Sequence, residues 1–207
     1  SLSRRRIVPS LLILLFSLSP LPGLFLGGPW LWFTPAIAFV LLPVSDLLLP
    51  PSDPAPSGGA PTRLLALYPA YHSALILLGA FRVRNLEWSS PNLVLSALSV
   101  GIVTGAIGIT FAHEWIHRRR SAQRLVGEWL LVWVGYGHYS TEHVHGHHRN
   151  VGTREDGATA RRGEWFQLYV PRALYQVWRG ALRIKPKRTL LHLASTLAIS
   201  AGITLAF

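Results

Sequence analysis

The sequence predicts an all-α, polytopic integral membrane protein with a metal site at its cytoplasmic face. Three observations carry this. The 207 residues are 50% hydrophobic and include eight tryptophans, with a mean hydropathy of +0.32. Such values are high for a soluble domain and ordinary for a chain that crosses a bilayer repeatedly. The apolar residues gather in runs near the ~20 residues that a spanning helix needs. Seven of the nine histidines lie between His113 and His148, among them two pairs four residues apart, a spacing that sets both imidazoles on one face of a helix.

Taken in order, residues 1–112 read as a transmembrane region of four spans. Ile7 to Gly28 follows Arg4, Arg5 and Arg6 and by itself has the shape of a signal peptide. A second run, Trp30 to Leu49, follows at once and favours a helical hairpin, its helices kinked or broken at Pro20, Pro22, Pro35 and Pro43. Pro50 to Pro61 is a loop by composition. Leu64 to Phe81 and Leu93 to Ala112 complete the four. Residues 113–188 form a cytoplasmic and interfacial region. Within it Leu125 to Tyr139 is apolar but short and carries Glu128, as expected of a helix lying at the interface. Arg149 to Arg188 is polar and basic, with Trp165, Tyr169, Tyr175 and Trp178 as interfacial anchors. Residues 189–207 read as a further span. The chain begins at Ser1 and stops within that apolar run at Phe207, which suggests a fragment truncated at the C-terminus.

The formal charge of +11 invites a nucleic-acid partner, but its distribution argues otherwise. Fourteen of the twenty Lys and Arg residues fall between Arg118 and Arg188, as the positive-inside rule places them when the N-terminus is cytoplasmic and four spans return the chain to that side. Arg82 and Arg84 count slightly against it. No nucleic-acid recognition motif accompanies the charge. The absence of Cys excludes disulfides, zinc ribbons and cysteine-ligated iron–sulfur clusters.

His113-Glu-Trp-Ile-His117 fits H-E-x-x-H, the zinc-peptidase pattern, with Glu114 as general base. The second cluster, Glu142-His-Val-His-Gly-His-His148, supplies more imidazole than one zinc requires and suits a two-metal site of iron, copper or zinc. His143, His147 and His148 are its candidate ligands. His145 points away from them on a helix. His72 and His192 read as buried structural imidazoles, and His138 as a residue that lines a pocket or supports a ligand. Glu114, Glu142 and Asp156 are placed to accept the second N–H of metal-bound imidazoles. An ion pair with Arg154, Arg161 or Arg162 is the alternative for Asp156.

His113-Glu-Trp-Ile-His117-Arg118 resembles the first histidine box, H-E-x-x-H-[KR], of the bacterial membrane alkane monooxygenases, within the fatty-acid desaturase-like histidine-box superfamily. Glu142-His-Val-His-Gly-His-His148 resembles their second box. Arg149 to Glu164 is similar to the stretch that follows it, and Pro171-Arg172 fits the next short motif. The resemblance implies two non-haem iron ions held by His113, His117, His143, His147 and His148. It also implies O₂ as oxidant, hydroxylation of an alkane or alkyl chain at its terminal carbon, and electrons from rubredoxin with its reductase. The enzyme would sit in the bacterial inner membrane with its site on the cytoplasmic side. The family's N-Y-x-E-H-Y-G element and third histidine box are absent from this sequence, so activity is expected of a longer protein. Alternatives are a desaturase-like or xylene-type diiron oxygenase, the zinc peptidase, and a metal-buffering protein. Gly101, Gly105, Ala106 and Gly108 would leave room for an alkyl chain or allow close helix packing. Arginines beside both clusters would steer an acidic electron donor or hold topology and contact lipid headgroups.

Overall fold

The computed structural model describes residues 13–48, 62–84, 86 and 90–207, with the side chains of 62–66 left aside. Arg4 to Arg6 and the Pro50–Pro61 loop lie outside the described residues. Every regular element among those described is helical, as the composition predicts. The helices are α1 (Ile13–Leu26), α2 (Gly28–Leu48), α3 (Thr62–Val83), α4 (Pro91–Ile116), α5 (Ser121–Trp133), α6 (139–150), α7 (Phe166–Ile184) and α8 (Pro186–Ala206). Of these, α2, α4 and α8 are long and apolar enough to cross a membrane.

The chain divides into two compact units, 1–110 with Phe207, and 111–206. In the first, α1 stops at Gly27 and Gly28, both at positive φ, where a residue with a Cβ would be strained. The chain then doubles back into α2 with Pro29 in its first turn. The hairpin is close: a Cβ at Gly23 would meet the Trp30 carbonyl oxygen at 2.9 Å, and Ser19 Oγ donates to Thr34 Oγ1 at 3.0 Å in the interior. Arg82, the residue that sat awkwardly with the charge rule, donates to the carbonyls of Leu24 and Phe25. A guanidinium there satisfies carbonyls that the end of a helix leaves open. Leu24, Leu75 and Val103 form the core.

α4 contains a π turn at Thr104–Gly108. The small residues of this helix divide in use. A Cβ at Gly108 would lie 2.6 Å from the His72 ring, whereas Gly101 and Gly105 face open space. Close packing thus accounts for Gly108 alone of these three glycines, and His72 is the buried imidazole that the sequence suggests.

In the second unit, α5 approaches the end of α4 so closely that a Cβ at Gly127 would meet the Ala112 carbonyl oxygen at 2.8 Å. The apolar run expected to continue to Tyr139 ends as a helix at Trp133. Gly135, at φ 72°, closes it with paired hydrogen bonds, Tyr136 N–H to Leu131 O and Gly135 N–H to Val132 O. This is the Schellman arrangement that stops helices at glycine. α8 is fastened to α5 by Thr196 Oγ1, which donates to Val132 O at 2.9 Å. It is also held by Glu128, which receives Arg188 Nη2 at 2.6 Å and lies 3.2 Å from His192 Nε2. Burial opposes ionisation of Glu128, but the hydrogen bonds from His192 and Arg188 outweigh it and hold the carboxyl below its usual range. Of the four expected anchors, Trp165 and Tyr175 are exposed. Tyr169 instead donates to Ala158 O, and Trp178 packs on His138.

Candidate metal centre

His113 lies in the last turn of α4 and His117 follows directly after the helix. Their i,i+4 spacing leaves the rings 4.6 Å apart between centroids. The second cluster is built differently. Tyr139–Glu142 and His148–Asn150 are α-helical, but His143–His147 between them is a π turn, closed by the His148 N–H donating to the His143 carbonyl. An i→i+5 bond brings residue i+5 back beneath residue i. His148 therefore comes under His143, where their Nε2 atoms lie 3.0 Å apart. The ligand nitrogens of His113, His117, His143 and His148 all fall within 4.8 Å of one another. Four of the five sequence-predicted ligands thus converge.

The fifth, His147, is set aside by the same turn. Its ring stacks on His143 at 5.3 Å and its Nδ1 lies 2.9 Å from Asp156 Oδ2. Asp156 is buried, receives the Ala158 N–H on Oδ1 at 3.0 Å and the Thr159 hydroxyl on Oδ2. Burial would raise its pKa, yet these bonds and His147 hold it below the ordinary carboxylate value. An ionised Asp156 makes Nδ1 of His147 the protonated nitrogen and leaves the Nε2 lone pair for other use. Asp156 makes no ion pair with Arg154, Arg161 or Arg162 among the described residues.

Burial and neighbouring imidazoles disfavour protonation of two of the four, His143 and His117. Burial, then His113, His148, His117 and His147, depress His143 to about 3. Burial followed by His113 and His148 lowers His117, against a small opposing effect of Glu114. Four imidazoles with converging nitrogens, and no thiolate among them, suit iron, copper or zinc. The residues present therefore fit a metal of that class. His143 is buried, with Tyr139 stacked on it at 4.6 Å, whereas His117 and His148 are exposed.

The remaining candidates divide. Glu142 is buried in a slot of two glycines: a Cβ at Gly146 would meet its Oε1 at 2.5 Å, and one at Gly180 its Cγ at 3.0 Å. Burial and then Asp156 raise its pKa, against His147. Glu114 turns outward to Arg118, 3.7 Å away at i,i+4, because its place beside His113 in the helix rotates it off the histidine face. His138 is buried outside the cluster between Tyr136 and Trp178, with Nε2 unpartnered and a pKa lowered to about 4 by burial and then His192. His145 points away as expected, to Lys185 Nζ at 2.7 Å.

One brace escapes sequence reading. Arg172 forks onto Glu164, Nε to Oε1 at 2.5 Å and Nη2 to Oε2 at 2.6 Å, while also reaching the Thr159 and Gly157 carbonyls. It ties the loop that carries Asp156 to α7. Both residues stand in the motif stretch, but no spacing rule links a loop carboxylate to a helix arginine eight positions on.

A family model described as fatty acid desaturase matches residues 88–202. Alkane 1-monooxygenase 2 of Pseudomonas aeruginosa is 32% identical over 170 residues, which is 77% of this chain and 45% of that protein. The alkane 1-monooxygenase of Pseudomonas putida is 35% identical over 117 residues, 56% of this chain and 29% of that protein. Alkane 1-monooxygenase 1 of Alcanivorax borkumensis is 29% identical over 186 residues, 81% and 46% respectively. The chain spans less than half the length of these relatives.

Proposed function

The chain belongs to the fatty acid desaturase family, and from that membership we propose that it is the histidine-box part of a membrane monooxygenase that hydroxylates an alkane or alkyl chain, at the terminal carbon. The observation that carries the reading is the convergence of His113, His117, His143 and His148 in a chain similar to several alkane 1-monooxygenases. His147, aimed through Asp156, is the fifth proposed ligand, with the Glu142 carboxyl near it.

Non-haem iron, two ions in the full-length protein, would supply with O₂ the oxidising power that side chains lack for an unactivated C–H bond. The chain's own residues disfavour protonation of His143 and His117, fix the His147 tautomer through Asp156, and keep the Glu142 carboxyl out of water between Gly146 and Gly180. Electrons would come from rubredoxin with its reductase, drawn to the arginines Arg118 to Arg120 beside the first box. The bacterial inner membrane, four spans before His113 and a site on the cytoplasmic side complete the reading. The zinc-peptidase alternative needs Glu114 beside the metal, and Glu114 pairs with Arg118 instead.

The test is metal analysis of the purified full-length protein, followed by alkane turnover with rubredoxin, its reductase and O₂. About two irons per chain and O₂-dependent alcohol formation are expected, as a two-metal redox site requires. One zinc per chain with no alcohol formed would overturn the assignment.

A further inference from the structure

A cavity of about 610 Å³ opens in the loop after the second box, lined by Thr153, Arg154, Arg161, Arg162, Arg172 and the edge of Asp156. Its acidic groups are already matched. Asp156 is taken by Ala158, Thr159 and His147, and Glu164 by Arg172. Arg172 is thereby a fixed wall. Arg154 has Glu155 beside it. Arg161 and Arg162 make no side-chain hydrogen bond or ion pair among the described residues; the carboxylate near Arg161 is Glu164, which accepts its backbone N–H and is shared with Arg172. The lining therefore carries four arginines, Arg154, Arg161, Arg162 and Arg172, against the single carboxylate of Asp156. Planar forks of this kind match phosphate oxygens bidentately.

A second observation says where such a phosphate comes from. Directly after the cavity loop, Trp165, Phe166 and Leu168 are 74, 71 and 67% exposed, at the start of a helix that carries arginines Arg172, Arg179 and Arg183. Large apolar side chains next to an arginine pocket are what a lipid presents a use for: acyl chain beside the one, headgroup in the other. We infer that this cavity binds the phosphate of an anionic phospholipid, with Arg161 and Arg162 as its ligands and Trp165, Phe166 and Leu168 against the acyl chains. The inference rests on the membrane reading and is independent of the metal chemistry.

Purified full-length protein in neutral detergent is titrated with fluorescent phosphatidylglycerol, with the matching diacylglycerol, and with inorganic phosphate as competitor. Metal content and helicity are measured on the same samples, so that loss of the metal site is seen separately. Wild type should bind phosphatidylglycerol well above diacylglycerol. Arg161→Gln with Arg162→Gln should weaken that binding about tenfold or more, the size expected for lost charge-assisted pairs. Arg179→Gln with Arg183→Gln, an equal charge change at two exposed positions of α7 outside the cavity, should leave it within about twofold, as solvent-exposed charges do. Equal weakening by both variants, or diacylglycerol bound as tightly as phosphatidylglycerol, would overturn the site. Displacement of the lipid by low concentrations of inorganic phosphate would overturn the lipid source and assign the cavity to a soluble phosphate.

Discussion

The two histidine-bearing turns reach the same point by different means. His113 and His117 depend on ordinary α-helical spacing at the end of α4, and Glu114 and Arg118 between and after them form an exposed pair. His143 and His148 depend on a π turn, two glycines around a buried carboxyl and a loop that returns Asp156 to His147. The first arrangement needs little beyond a helix. The second is held by groups distributed from residue 142 to residue 180, so it should tolerate change far less well.

The largest difference expected is between ligand removal and neighbour removal. His143→Ala or His148→Ala in the full-length protein should abolish iron retention while membrane insertion, set by the apolar segments and flanking charge, is unchanged. His145→Ala should leave iron content alone, since that ring faces Lys185. Elemental analysis of membrane-extracted protein decides, and unchanged iron in both ligand variants would remove the second turn from the site.

Gly146→Ala comes next. Its Cβ would fall 2.5 Å from Glu142 Oε1, whose side chain is also enclosed by Gly180, so the carboxyl or the turn must shift, at about 1–3 kcal/mol for overpacking. Thermal unfolding should show the loss, together with lowered iron content. Full stability and full iron would mean that the second turn is as forgiving as the first.

Asp156→Asn tests the brace. Loss of the carboxylate that orients a metal-bound imidazole costs about 10–100-fold in metal affinity, and competition with a chelator measures it. Acid titration sharpens the point. The Asp156 pKa is depressed in the folded chain, so its contribution is complete above the ordinary carboxylate range and is lost as pH falls through the lowered value.

The smallest effect concerns the metal-free protein. His143 at about 3 binds fewer protons folded than unfolded from its ordinary pKa of about 6.5 down to that value. Stability of the metal-free form should therefore fall as pH drops through this window, and His143→Asn should flatten the slope. Denaturant unfolding at a series of pH values reads it directly.

These contrasts also explain what the sequence made legible. The all-helical fold followed from apolar run lengths, and the first pair from period alone, because an α-helix has one geometry. Nothing in His-Val-His-Gly-His-His distinguishes an α turn from a π turn, so pairing at i,i+4 was the natural expectation where the fold pairs i with i+5. Asp156 was recognisable as a scarce carboxylate near scarce partners, but its choice of His147 over an arginine depends on the path of a loop. Gly135 was a readable stop signal for α5, overridden by the apolar run around it. The Arg172–Glu164 brace had no local pattern to betray it.

The tie between α5 and α8 sets a gauge on the last helix. Glu128 is largely enclosed and answers to both Arg188 and His192, residues one helical turn apart. Sliding α8 along its axis by a turn would leave a carboxylate without its guanidinium and imidazole partners, an outcome far costlier than the apolar contacts exchanged in the shift. Apolar helices packed on apolar neighbours have shallow preferences for depth. Here one carboxylate acts as a detent, fixing how far α8 is drawn in and, through the short connection at Lys185, where the end of α7 must stop.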